Sequence, residues 1–263
     1  WVGMLAGIAV GAICGLWQGF WVAYVGIPAF IVTLAGMLLF RGLTYEVLNN
    51  VSLSPFPGEY GQIAGGFLNG LLGGNGFDLF TVIIGVIAVV GLFYSQWRNR
   101  AGRAKYGQSV ESMAMFLAKN IISGAIILWF FWQIATSRGM PIVLIILAAL
   151  ILGYHVLTTK TVFGRHVYAI GGNLSAAKLS GVNVKKINMW IFINMGLLSG
   201  VAGVVFSSRS NGAQPGAGNM FELDAIAACF IGGASTTGGV GRVTGAIVGG
   251  LGMAGLSNGM QLM

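Results

Sequence analysis

The chain has 263 residues, of which 56% are hydrophobic and only 8% charged, with a mean hydropathy of +0.83 and a formal net charge of +8. A soluble domain carries about 25% charged residues, so these charges are too few to cover a water-facing surface, and the basic excess reports membrane topology rather than nucleic-acid binding. The two cysteines, Cys14 and Cys229, lie in apolar runs without CxxC spacing and give neither a disulfide framework nor a metal site.

Apolar runs long enough to cross a bilayer core are predicted at 2–24, 28–48, 78–97, 117–137, 141–158, 189–208 and 242–260, with a shorter apolar piece at 222–235. The first, WVGMLAGIAVGAICGLWQGFW, places Gly3, Gly7, Gly11, Gly15 and Gly19 every fourth residue. In water each glycine costs about 1 kcal/mol relative to alanine in a helix. In lipid the backbone must satisfy itself, so the helix is enforced, and small residues at this spacing admit a close neighbour. A four-residue step drifts by about 40° on a 3.6-residue helix. The glycines therefore predict a slowly winding smooth stripe, packed inside a bundle, with Trp17 and Trp21 near an interface. Pro28, in GIPAF, suits the first turn of the second helix.

Residues 49–77 contain SPFPGEYG and GGFLNGLLGGNG with Glu59 as their only charge, and read as a long turn-rich outer loop with room for one short helix. The loop 98–111 carries Arg98, Arg100, Arg103 and Lys105, and the loop 159–188 carries Lys160, Arg165, Lys178, Lys185 and Lys186. Two spans joined by SRGMP separate these basic loops, so both fall on one side, which the positive-inside rule makes the cytoplasm. Arg41, Glu46, Lys119 and Arg138 sit near span ends, where long side chains reach the interface. Trp129, Trp132 and Trp190 could offer rings for a ligand to stack on, but aromatic residues near span ends are more often interfacial anchors.

In FGRHVYAIGGNLSAAKLSGVNVKKINMW, residues 163–190, Gly171, Gly172 and Asn173 predict a turn. LSAAKLSGV then makes about two helical turns ended by Gly181. This short helix is either a surface connector or an element that docks into a groove on another protein. The polar loop 209–221 precedes ELDAIAACFIGG, which is too short to span the core unaided. Residues 222–235 are therefore expected to form a half-helix or broken helix buried among others, with Glu222 and Asp224 complementing the dipole of its first turn. GGVGRVTG is a close-packing or hinge turn, not a phosphate loop, since no glycine in the chain is followed by lysine as GxxxxGK[ST] requires. His155 and His166 lack a carboxylate or second histidine at catalytic or ligand spacing, so no catalytic, cofactor-binding or metal-ligating residue is expected. The chain opens inside an apolar run and closes on GLSNGMQLM, which reads as a piece of a longer protein, incomplete at both ends.

Four segments carry a family resemblance: IPAFIVTLAGMLLFRGL, YAIGGNLSAAKLSGV, INMGLLSGVAGVVFSSR and ELDAIAACFIGGASTTGGVGRVTGAIVGG. They resemble the membrane permeases of bacterial ABC importers for monosaccharides, the ribose/galactose/xylose branch related to the branched-chain amino-acid permeases. The chain is most similar to the xylose or multiple-sugar permeases. The resemblance covers nearly the whole chain, and GGN-x-x-AA-x-LSG followed by ELD-x-IAA-x-x-IGG at this separation is its specific part. Asn219 and Met220 stand where small or apolar residues are common in the family.

The resemblance implies an all-α fold: a polytopic transmembrane helical bundle of ABC importer permease type with one broken or half-spanning helix, forming a single permease domain over 1–263. It implies a coupling helix from Asn173 to Gly181 within the cytoplasmic loop 159–188, with Gly171, Gly172, Asn173, Ala176, Ala177, Leu179, Ser180 and Gly181 facing an ABC ATPase subunit. Glu222, Asp224, Gly232, Gly233, Gly238 and Gly239 would mark the broken-helix region near the pathway, with a direct contact to the sugar or its binding protein the alternative to capping for Glu222 and Asp224. ATP would be bound by the partner ATPase, so this chain holds no cofactor. A periplasmic sugar-binding protein and a second permease chain, as a homodimer, would complete the assembly in the bacterial inner membrane; no sugar-contacting residue is assigned. The rival readings lack their signatures. An ion-coupled secondary transporter of a small polar solute places ionisable residues in mid-membrane. A membrane enzyme needs a nucleophile, base or metal cluster, and a channel a charge ring or filter.

Overall fold

The computed structural model describes residues 2–68, 78–106 and 112–262. The parts of the expected outer and basic loops at 69–77 and 107–111 lie outside the described residues. The chain is a polytopic helical protein. In order its elements are α1 (Val2–Phe20), α2 (Ala29–Val47), α3 (Gly58–Gly65), β1 (Phe67–Leu68), α4 (Leu79–Lys105), α5 (Met113–Ser137), β2 (Met140–Pro141), α6 (Ile142–Lys160), α7 (Val162–Gly172), α8 (Leu174–Leu179), α9 (Val184–Ser210), α10 (Phe221–Ile231) and α11 (Val243–Gln261). A π-helical turn, Trp21–Val25, continues α1. It closes where Gly26, at φ +87°, donates its N–H to the Trp21 carbonyl.

Among the described residues six helices are long and apolar enough to cross a membrane: Val2–Val25, α2, α4, α5, α6 and α9. The expected span at 242–260 forms as the 19-residue helix α11 but is not one of the six. Its many glycines and Asn258 dilute the apolar side chains that a lipid-facing helix needs. The basic stretches are also more helical than expected. Helix α4 runs on to Lys105, with Arg103 and Lys105 in its last turn, where cations favour the negative end of the helix dipole. Lys185 and Lys186 lie in the first turn of α9.

The chain divides into two compact units, Gly65–Ile145 and the remainder, Trp1–Ala64 with Ile146–Met263. In the larger unit the glycine stripe of α1 packs on α9. A methyl group at Gly11 would overlap the Gly196 carbonyl oxygen, and one at Gly15 would overlap that of Phe192. The fit loosens toward the N-terminus, where a methyl at Gly7 would lie 3.4 Å from Val204 and one at Gly3 would meet nothing within 4 Å. Backbones this close gain dispersion and Cα–H···O contacts along their length, the attraction left to helices in lipid, where apolar side chains gain nothing by leaving the solvent. The same unit holds the segment after α2 against the end of α9. Leu53 and Ala213 exchange backbone hydrogen bonds of 2.9 Å, and the buried Ser208 hydroxyl donates to the Tyr60 carbonyl at 2.7 Å while accepting from Ala64 N–H at 3.0 Å.

In the smaller unit α4 and α5 form an antiparallel pair. Asp78, buried, caps α4 by accepting from the Thr81 N–H at 3.1 Å and the Thr81 hydroxyl at 2.5 Å, and its own N–H reaches the Ala135 carbonyl near the end of α5. Phe93, Trp97 and Phe116 cluster at the other end, with the Arg100 guanidinium 4.9 Å from the Phe116 ring centre.

Candidate functional site

The segment between α6 and α9 is where the chain leaves simple spanning geometry. Thr161 caps α7 by accepting from the Gly164 N–H at 3.2 Å, and Gly164 lies so close to the last carbonyls of α6 that a methyl there would overlap Thr158. Helix α7 corrects the sequence reading at two positions: Gly171 and Gly172 are its last residues, not the start of a turn. The break falls on Asn173 alone, which is extended at φ −154° and ψ +101°. Its N–H completes α7 on the Ala169 carbonyl, and its side-chain oxygen accepts from the Ala176 N–H at 2.9 Å to start α8. Most of the expected loop 159–188 is thus helical.

Helix α8 has six residues and a defined stop. Gly181, at φ +81°, donates to the Lys178 carbonyl at 3.0 Å, and Val182 donates to Ala177 at 3.1 Å. That pair of bonds is the Schellman closure, and the left-handed backbone it needs suits glycine. The Ser180 hydroxyl folds back on the Ala176 carbonyl at 2.9 Å. The two sides of α8 differ: Ala177 is buried within the chain, whereas Leu179 is 89% exposed and Leu174 45%.

The end of α7 is held by the turn between α10 and α11. A methyl on Gly171 would overlap the backbone nitrogen of Gly239, and one on Gly239 would lie 2.7 Å from the Gly172 Cα. Gly238 and Gly239 sit at φ +87° and +74°, so the turn needs glycine there both for its own conformation and for this approach. The Tyr168 hydroxyl donates to the Gly241 carbonyl at 2.8 Å. Within the turn, Ser235 N–H bonds the Val240 carbonyl at 3.0 Å and the Ser235 hydroxyl oxygen accepts from Thr237 N–H at 3.2 Å. The structure therefore brings four of the singled-out glycines together, Gly171 and Gly172 with Gly238 and Gly239.

The other expected residues fall at the two ends of α10. Helix α10 ends at Ile231, short of the expected 235, and Gly232 and Gly233 already belong to the turn. Glu222 and Asp224 occupy the first turn of α10, exposed, about 15 and 12 Å along the helix axis from Gly232. Helices α10 and α11 pack as closely as α1 and α9, since a methyl on Gly245 or Gly249 would overlap the carbonyl of Gly232 or Ala228. Among the described residues no group of three His, Cys, Asp or Glu is placed to hold a metal ion.

Two cavities flank the α7 anchor. One, of about 560 Å³, is lined by Tyr168, Gly232, Gly239, Arg242 and Thr244 among others. The second, of about 300 Å³, lies among α6, α7 and α9 and is lined by Tyr154, Thr158, Phe163, Tyr168 and Asn194. The Tyr154 hydroxyl donates to the Asn194 side-chain oxygen at 2.6 Å across α6 and α9. Tyr154, Tyr168 and Asn194 were not singled out from the sequence; the available signal was an amide in the middle of the apolar run INMGLL. The arrangement is mechanical: a short exposed helix, a rigid arm and a glycine-built turn at the end of a helical hairpin.

Comparison with known proteins bears on this geometry. The family described as branched-chain amino acid transport system, permease component, matches residues 1–263. The xylose transport system permease protein of Escherichia coli (strain K12) is 41% identical over 256 residues, covering 97% of this chain and 63% of that protein. Its counterpart from Haemophilus influenzae (strain ATCC 51907 / DSM 11121 / KW20 / Rd) is 43% identical over 264 residues, covering 100% of this chain and 68% of that protein. The ribose import permease protein of Bacillus subtilis (strain 168) is 47% identical over 124 residues, 47% of this chain and 38% of that one. The chain thus spans about 63% of the length of the Escherichia coli relative. No solved structure matches.

Proposed function

This chain belongs to the family of branched-chain amino acid transport system permease components, and from that premise we propose that it is the permease of an ATP-driven monosaccharide importer of xylose or multiple-sugar type. The observation that carries the reading is the similarity to xylose permeases along 97% or more of the chain. The spanning helices form the translocation path, with a second copy of the chain across it, in the bacterial inner membrane. ATP is bound and hydrolysed by a separate ABC ATPase, and a periplasmic binding protein delivers the sugar to the outer loops. The chain itself carries no chemistry; it is a transporter subunit and not an enzyme.

In this reading α8 is the coupling helix. The exposed Leu179 and Leu174 offer an apolar contact to the ATPase, and the buried Ala177 keeps the helix fixed to its own chain. Closure of the ATPase then moves α8 and α7 as one arm. The Gly171–Gly239 contact and the Tyr168–Gly241 hydrogen bond pass that displacement to the turn and so to α10 and α11. Backbone packed on backbone has no soft side chain to absorb the motion.

The test is reconstitution of the complete permease in liposomes with the ATPase and sugar-binding protein encoded beside it. ATP-dependent uptake of labelled D-xylose is the expected result. Uptake driven by an ion gradient with no ATPase present would replace this reading with a secondary transporter.

A further inference from the structure

The 300 Å³ cavity among α6, α7 and α9 has a composition that its packing role does not require. Three aromatic rings, Tyr154, Phe163 and Tyr168, line it together with the Asn194 amide and the Thr158 hydroxyl, and none of its lining residues is charged. A polar pair such as Tyr154–Asn194 commonly serves as glue between helices in lipid. Here the bond uses only the phenol O–H and the amide oxygen. It leaves the Asn194 amide nitrogen without a hydrogen-bond partner among the described residues, beside open volume. The Tyr154 phenol oxygen can still accept, and so can the Thr158 hydroxyl, whose proton goes to the Tyr154 carbonyl at 2.8 Å.

Aromatic faces suit the C–H side of a pyranose ring, and an amide with hydroxyls suits its O–H groups. The absence of charge in the lining disfavours an ionic solute, whose desolvation would go uncompensated. The volume lies at the low end of small-molecule sites. We propose that this cavity is a binding station for a neutral monosaccharide within the permease. The assignment rests on the sugar-permease reading and names its site. Few polar groups make the station weak, as a path that must release its cargo requires. Gly239 and Val240 of the α10–α11 turn close one side of the cavity, so a displacement of that turn opens or shuts the station.

The experiment uses the complete permease, assembled with its ATPase and binding protein in liposomes. Val167, which also lines the cavity, is changed to cysteine in a Cys14→Ala, Cys229→Ala background, and its alkylation by N-ethylmaleimide is timed. D-Xylose is expected to slow alkylation severalfold and D-glucuronate, whose charge the uncharged lining cannot compensate, to leave it unchanged. Asn194→Leu and Thr158→Val should each abolish the protection. Tyr154→Phe, which keeps the ring and drops one hydroxyl, should weaken it and serves where Asn194→Leu lowers the yield of folded protein. No protection in a preparation that imports xylose overturns the station and leaves the permease reading standing, as does protection that survives all three substitutions. Absence of both protection and uptake of any monosaccharide overturns the two together.

Discussion

Gly11 of α1 and Gly196 of α9 face each other so closely that a methyl group on either would collide with the carbonyl oxygen of the other. The glycine stripe therefore has a graded consequence. Gly11→Leu and Gly15→Leu should lower the thermal stability of the purified permease by the 1–3 kcal/mol typical of overpacking, or more. Gly7→Leu should cost less, and Gly3→Leu, with open space around it, should be close to neutral. Melting in detergent checks the order; equal effects at Gly3 and Gly11 would show that the contact with α9 is not what the stripe serves.

Tyr168→Phe removes the hydroxyl that holds α7 to Gly241 and should destabilise the permease by about 1 kcal/mol, the net worth of an ordinary hydrogen bond. Gly239→Ala should do more damage, since it adds a methyl 2.7 Å from Gly172 to a residue at φ +74°. Both variants should bind the ATPase and import sugar more slowly. Normal uptake by Gly239→Ala would mean that the turn is not part of the transmission.

Leu179→Glu and Ala177→Glu separate docking from folding. Leu179 is exposed, so the first should leave melting unchanged and weaken ATPase association about tenfold, or about 1.4 kcal/mol. Ala177 is buried, so the second should lower stability as well. Gly181→Pro cannot reach φ +81° and removes the N–H bonded to Lys178, so it should uncouple uptake while the spans still insert. Co-purification, melting and uptake read the three effects apart. Wild-type uptake by Leu179→Glu with the ATPase bound would make α8 a connector.

Membrane-impermeant thiol labelling of intact cells should reach Pro57→Cys but neither Lys105→Cys nor Lys178→Cys, as the basic segments require. The inverse pattern would reverse the orientation.

The spans were legible because an apolar run long enough for lipid has few alternatives, and the α1 stripe because its spacing is helical. Its partners were not: Gly196 and Gly200 follow the same rule, but nothing in one chain's composition pairs them with Gly11. Gly171 and Gly172 look like a turn because glycine usually marks one. Here glycine serves the approach of Gly239, and the helix runs through it. Helix α11 forms where a span was expected, yet it stands apart from the six. Its residues are small enough to pack against α10 but not apolar enough to rank with the six spans. Tyr154 and Asn194 escaped because a polar side chain in an apolar run declares its purpose only once its neighbour is known.

The Tyr168–Gly241 bond joins residues 73 positions apart, and that separation sets an order in time. A membrane chain is made from its N-terminus at about 5–20 residues per second, so α7 and α8 leave the ribosome seconds before the turn that holds them. During that interval the proposed ATPase contact exists as sequence but not as a positioned surface. A nascent permease halted before Gly238 should fail to recruit the ATPase, and release of the stalled chain to full length should restore recruitment. Recruitment by the halted chain would show that α8 is set without the turn. If α8 does contact an ATPase, the late α10–α11 hairpin would act as an inspection step, withholding the motor from a subunit in which that hairpin has not yet been made.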